Sequence, residues 1–353
     1  MSIIIAILIF GIIVLVHEYG HFIVARKNGI VVEEFAIGMG PLIYGKQKGA
    51  TFYSLRLLPI GGYCKMLGVE ESDNREGSFN AKGVFARIAV ISAGSIMNFA
   101  LSFVLVLIMI SINGFASTYI NTVTEGSPAQ AIGLEQGDRV ISIDNSRIRV
   151  FQDAHFALIN NHQTPIDITI ERNGQIMELV VTPIQMGASY IIGFSPARYA
   201  GLFGGLAPGE IRAGLGHTLA TSFWTMINYM RLIIFSVGQL VTFNVALDDM
   251  AGMVGIVDII DTTYRATIQI NLWFMITQML NLAALLSANL GVINLLPFPA
   301  LDGGRLIFLG LEAIRGKPIN PEKESMVHVV GFVLLIGLIL IITYNDISRL
   351  VMR

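Results

Sequence analysis

The chain has 353 residues, 54% of them hydrophobic and 14% charged, with a mean hydropathy of +0.67. An ordinary soluble domain is about a quarter charged, so this composition belongs to a bilayer. A formal net charge of -2 leaves no nucleic-acid footprint, and one cysteine, Cys64, excludes an internal disulfide or a multi-cysteine zinc site.

The first apolar run, Ser2 to Ala25, lacks a basic leader and a small-residue cleavage site and reads as a retained transmembrane helix. No charge interrupts Ile3 to Leu15. Then His17-Glu18-Tyr19-Gly20-His21 sets a carboxylate and two imidazoles side by side. An ionisable group at membrane depth costs roughly 2.5 to 3.5 kcal/mol, so such a cluster calls for mutual pairing, a metal or a water-filled cavity. On a helix His17 and His21 share one face and can bind one zinc ion, with Glu18 beside them as general base toward a water. In a soluble helix this spacing is weak evidence. Inside an apolar span it carries weight, because insertion selects against ionisable groups without a partner or a task.

The loop that follows holds Arg26, Lys27, Lys46, Lys48, Arg56, Lys65, Arg75, Lys82 and Arg87. Positive-inside bias places it in the cytoplasm, with the zinc motif toward the cytoplasmic end of its span and both termini outside. Within it, Thr51 to Leu58 and Tyr63 to Val69 are apolar runs joined by Pro59-Ile60-Gly61-Gly62, which predicts a hairpin in a small sheet near the zinc site. That sheet either seals the cavity or offers an edge strand to an extended substrate. Glu70 to Glu76 reads as a polar surface loop. A second span, Ile88 to Ile112, carries the small-residue surface Ala93-Gly94-Ser95 and one amide, Asn98, which either packs against a neighbouring helix or positions a ligand or a motif loop.

After Gly114 the composition becomes that of a soluble domain. Arg139 to Ile143 and Ile166 to Ile170 predict strands, Gln152 to Asn160 a helix and Asn173-Gly174 a turn. The run from Gly126-Ser127-Pro128-Ala129 through Gly137-Asp138-Arg139-Val140 looks like the core of a PDZ domain, completed by a strand from Tyr190 to Phe194. Such a domain binds a peptide by strand addition or acts as a gate against bulky proteins. Leu219 to Leu247 has Arg231 as its one charge but scattered polar residues, which suits a helix on the outer membrane face or against the domain better than a fifth span. An extra crossing would also put the next motif on the wrong side.

That motif follows a third span, Leu272 to Leu296, and reads Pro297-Phe298-Pro299-Ala300-Leu301-Asp302-Gly303-Gly304. A catalytic zinc commonly takes three protein ligands, two histidines and a carboxylate being one set, and Asp302 emerges on the same side as the first motif. Arg305, Arg315, Lys317 and Lys323 keep this loop cytoplasmic, before a last span from Val327 to Thr343.

Together, His17-Glu18-Tyr19-Gly20-His21, Leu301-Asp302-Gly303-Gly304 and one PDZ-like stretch between the second and third spans resemble the site-2 protease family, in its bacterial branch of regulator of sigma-E protease type. The likeness runs over essentially the whole chain. It departs from that branch in having room for one PDZ domain where two are usual, and in Ser95 and Met253 where proline is usual. The resemblance implies an intramembrane zinc endopeptidase in which His17, His21 and Asp302 hold zinc, Glu18 activates water, and Asn294 helps hold the substrate backbone. Asn98 is a further candidate contact. The expected fold is a polytopic α-helical membrane protein of about four transmembrane helices, with a small membrane-associated β-sheet over residues 35–69 and an inserted α+β PDZ-like domain. Its expected parts are 1–114, 115–200 (PDZ-like), 201–267 (extracytoplasmic amphipathic and linker helices) and 268–353. The implied substrate is a single-span membrane protein of anti-sigma factor or remnant signal peptide type, with a peptide ligand for the PDZ-like domain and lipid as further partners. The implied location is the bacterial inner membrane, with the PDZ-like domain extracytoplasmic. An alternative of another class is a scaffold that binds exported peptides and uses zinc to pin its helices.

Overall fold

In the computed structural model, which describes residues 2–69, 75–159, 164–187, 189–207, 210–242 and 252–352, the first apolar run forms helix α1, Ser2–Lys27. Its last turn carries Arg26 and Lys27, cations that complement the carbonyl end of the helix. Two long antiparallel strands follow, β1 (Val32–Lys48) and β2 (Thr51–Met66), joined through Gly49-Ala50 with Lys48 opposite Thr51. The predicted hairpin between Thr51–Leu58 and Tyr63–Val69 is replaced by another register. Phe35, Ala36 and Ile37 pair with Tyr53, Ser54 and Leu55 on one side and with Cys64, Tyr63 and Gly62 on the other. The sequence signal at Pro59 to Gly62 therefore marks a fold-back of β2 around β1. Most of the predicted Glu70 to Glu76 loop, residues 70–74, lies outside the described residues.

Helix α2, Val84–Asn113, is the second apolar run. The chain divides into two compact units, Met1–Ser102 with Ile233–Arg353 and Phe103–Leu232, so α2 leaves the first unit at Ser102.

The second unit holds β3 (Phe115–Val123), α3 (Pro128–Ala131), β4 (Arg139–Ile143), β5 (Ser146–Arg147), α4 (Phe151–Leu158), β6 (Ile166–Arg172), β7 (Gln175–Val181), β8 (Ile184–Met186), β9 (Ser189–Ile191), β10 (Phe194–Ala200), β11 (Ile211–Arg212) and the start of α5 (Leu215–Val241). One sheet runs β11-β10-β3-β4-β6-β7, with β5 on β4, and β8 and β9 form a separate hairpin. Strand β6 shows why: Ile166, Ile168 and Ile170 are buried in the core with Ile120, Val140, Ile143 and Val181, and the residues between them face outward. Asn173-Gly174, both at positive φ, turn β6 into β7 as predicted. The predicted strand Tyr190 to Phe194 is split, because Gly193 sits at φ +97° against Ser127, and pairing with β3 begins at Phe194. The predicted helix Gln152 to Asn160 is α4, with Asn160 outside the described residues.

Helix α5 turns its polar residues toward this unit. Asn228 and Arg231 donate to Asp153 Oδ1, both at 3.0 Å, and the Arg149 guanidinium lies 4.1 Å over the Trp224 ring. Residues 243–247 of the predicted stretch are outside the described residues.

The first unit resumes with α6 (Met253–Ile268), α7 (Leu272–Leu295), α8 (Asp302–Arg315) and α9 (Pro321–Met352). Ala6, Ile260 and Met279 bring α1, α6 and α7 into one buried cluster. Against α2, α7 is held by hydroxyls: Ser287 Oγ donates to the Asn98 carbonyl and Ser102 Oγ to the Ala284 carbonyl, each at 2.8 Å. Among the described residues four helical segments are long and apolar enough to cross a membrane: Ser2–Lys27, Val84–Asn113, Leu272–Leu295 and Glu324–Arg349.

One buried ion pair braces the second unit. Asp138, 1% exposed, accepts from Arg172 Nε and Nη2 at 2.7 Å and from the Glu135 N–H at 2.9 Å. Burial alone would raise the Asp138 carboxyl, but the Arg172 and Glu135 hydrogen bonds outweigh it and hold the group below its ordinary 3.8. A carboxyl depressed in the folded state stabilises above its unfolded value, and that contribution is lost as pH falls through the folded value. Asp138→Asn removes the charge from this pair while Arg172 keeps its bonds to Glu135 Oε1 and the Gly133 carbonyl at 2.8 and 2.7 Å, a loss of about 2 kcal/mol. It is therefore expected to lower the melting temperature of the full chain in detergent at pH 7 and to flatten its decline as pH falls below the ordinary carboxyl value of 3.8, followed by circular dichroism.

Candidate active site

Helical spacing brings the imidazoles of His17 and His21 together on the buried face of α1, ring centroids 4.8 Å apart, both residues 6% exposed. Their Nε2 atoms are 3.2 Å apart. From the start of α8, Asp302 Oδ2 reaches the same point, 3.4 Å from His17 Nε2 and 3.3 Å from His21 Nε2. Ligands about 2.0 to 2.1 Å from a tetrahedral zinc stand about 3.3 Å from one another, so this donor set fits zinc in kind and in spacing. Asp302 Oδ2 is buried with no hydrogen-bond partner among the described residues, as an oxygen intended for a metal would be.

The imidazoles are oriented from α2. His21 Nδ1 lies 2.9 Å from the Val90 carbonyl, which fixes the proton there and leaves Nε2 as the free lone pair. His17 Nδ1 lies 3.2 Å from the amide of Asn98, a residue with no exposed surface whose Oδ1 has no partner among the described residues. With the amide turned by half a rotation, Oδ1 accepts from a protonated Nδ1 and His17 Nε2 is likewise freed for metal. Gly94 makes room for both rings: a Cβ there would stand 2.4 Å from His21 Nε2 and 2.6 Å from His17 Cε1.

Glu18, next on α1, faces the sheet, where its carboxylate meets the Cys64 N–H and its Cγ lies 3.6 Å from where a Gly62 Cβ would be. Asn294, in the last turn of α7, places Nδ2 3.3 Å from His17 Nε2. All six residues singled out in the sequence, His17, Glu18, His21, Asn98, Asn294 and Asp302, thus belong to one neighbourhood. Sequence reasoning missed the cradle of Gly94 and the Val90 carbonyl. Gly94 was legible as part of a small-residue run, whereas a backbone acceptor leaves no mark in a sequence.

The profile of peptidase family M50 matches residues 5–338, nearly the whole chain. The chain belongs to peptidase family M50. A relative from Clostridium perfringens is 38% identical, the match covering 98% of both chains. The regulator of sigma-W protease RasP of Bacillus subtilis is 32% identical over 98% of this chain and 97% of its own, and the zinc metalloprotease RasP of Geobacillus kaustophilus is 32% identical over 99% and 98%. This M50 peptidase is therefore a zinc metalloprotease of site-2 type and an integral membrane protein, as the resemblance implied.

Because the Gly94 cradle has no slack, Gly94→Ala is expected to displace both imidazoles and to lower bound zinc at least tenfold, on the scale of losses seen when a metal site's supporting groups are removed. Metal analysis of the purified protein measures the loss, and α-helical circular dichroism checks that the fold survives.

Proposed function

We propose that this M50 peptidase cleaves peptide bonds within the membrane-spanning segment of single-span proteins, with His17, His21 and Asp302 as zinc ligands and Glu18 as general base. The observation that carries the reading is the meeting of three metal-type donors, 3.2 to 3.4 Å apart, from the first span and from the start of α8. Bound zinc supplies Lewis acidity, lowering the pKa of a water toward neutrality and polarising the scissile carbonyl. Glu18 takes the proton of the attacking water and passes it to the leaving nitrogen. Asn98 holds His17 in the ligating tautomer, and Asn294 steadies the substrate carbonyl beside it.

A peptide bond in a spanning helix is internally hydrogen-bonded, so the substrate has to unwind before attack. In this reading the sheet of β1 and β2 is membrane-associated and replaces the lost bonds. Its segment Phe52 to Leu55 is paired on both sides, so the docking edge is Gly62 to Met66, beside Glu18. Residues 115–200 act as an extracytoplasmic PDZ-like domain that captures or filters peptides, and the basic loops put the zinc toward the cytoplasm of a bacterial inner membrane. The name of the Bacillus relative, a regulator of sigma-W protease, favours anti-sigma factors as one substrate class, with remnant signal peptides as another.

Glu18→Gln is expected to keep full zinc content and to slow cleavage of a reconstituted single-span reporter by about 10²- to 10⁴-fold, the usual worth of a general base. Wild-type cleavage by this variant would rule out the base assignment. Stripping zinc with a chelator is expected to abolish cleavage, and added zinc to restore it.

A further inference from the structure

Helix α9 leaves nearly all of its apolar side chains exposed, yet Gly331 is buried and the His328 side chain, one turn earlier, is 19% exposed. Both face the segment between α7 and α8. A Cβ on Gly331 would stand 2.2 Å from Pro299 Cβ and 2.8 Å from the Pro299 carbonyl oxygen. Next to it, the Ala300 N–H donates to His328 Nδ1 at 3.1 Å, and the Phe308 ring lies 5.6 Å from the imidazole. Ala300 is held at φ +78°, a left-handed conformation that is disfavoured for a residue with a Cβ and persists where the surroundings enforce it. Two residues on is Asp302.

A nitrogen that accepts an N–H carries no proton, so the imidazole is neutral with its hydrogen on Nε2. Nε2 lies 3.9 Å from Glu324 Oε1, beyond hydrogen-bond range. Among the described residues, the one hydrogen bond of this imidazole is thus the bond to the backbone of the Asp302 loop. An ionisable side chain in a spanning helix is costly, and packing alone would be served by an apolar residue.

We propose that His328 is a positioning residue for the zinc site: its Nδ1 locks Ala300 in the left-handed conformation and thereby sets the direction from which Asp302 enters the cluster. This rests on the reading of Asp302 as third zinc ligand. What the geometry requires at 328 is a short-reach acceptor. Asparagine supplies one near the place of Nδ1, glutamine reaches to the place of Nε2, and leucine fills the volume without one.

The test is the zinc dissociation constant of the full chain in detergent, by competition with a chromophoric chelator, beside kcat and KM on the single-span reporter. Expected is a weakening of zinc binding by about 10- to 100-fold in His328→Leu, the usual loss for a removed supporting partner, with a lower kcat and an unchanged KM. His328→Asn stays within about threefold of wild type on the same scale. Adding Ala300→Gly to His328→Leu recovers much of the loss, since glycine takes the left-handed conformation unaided. Wild-type zinc affinity in His328→Leu, with affinity lost in Asp302→Asn, would overturn the proposal and leave the ligand reading standing. Wild-type affinity in Asp302→Asn would overturn both. Equal losses in the leucine and asparagine variants, or no recovery with Ala300→Gly, would make His328 a packing residue and overturn the proposal. If His328→Leu does not fold, the contrast between His328→Asn and His328→Gln decides the matter in the same way.

Discussion

Everything in this molecule turns on bringing two imidazoles and a carboxylate, groups of the kind that could hold a metal ion, to one point from helices far apart in sequence. A lone imidazole or carboxylate there is expensive, and the expense falls only when His17, His21 and Asp302 share a task. The packing of α1, α2 and α7 follows from that demand. The Ser287 and Ser102 hydroxyls tie α7 to α2, Gly94 opens a recess for two rings, and Val90 and Asn98 fix the ring nitrogens that turn away from the cluster.

The second constraint is the irregular backbone from Leu296 to Leu301. Buried non-helical chain is stable where its polar groups are satisfied within the protein. Here the Phe298 N–H bonds to the Leu296 carbonyl, the Leu301 N–H to the Phe298 carbonyl and the Ala300 N–H to His328. A bonded, shaped loop can start α8 at Asp302 without leaving these N–H groups unpaired.

Much of this was legible in the sequence because the decisive chemistry is local. Five consecutive residues carry both histidines and the glutamate, and their apolar setting gives them meaning. The alternation of Ile166, Ile168 and Ile170 announced β6, and Asn173-Gly174 announced its turn. The fold-back of β2 around Phe35 to Ile37 was not legible: a strand's partners on its two sides are chosen by tertiary packing, and the Pro59 to Gly62 punctuation says only that the chain bends. For the same reason Asn98 could be read as a packing amide or a ligand contact but not as the neighbour of His17 Nδ1, since 81 residues separate them.

Zinc K-edge X-ray absorption of the purified protein reads the composition of the proposed metal site directly. The predicted spectrum has light scatterers alone in a four-coordinate shell at about 2.0 to 2.1 Å, with an imidazole multiple-scattering pattern that weakens by half in His21→Ala. A sulfur shell at about 2.3 Å, which would implicate Cys64, or a spectrum unchanged by loss of His21, would contradict it.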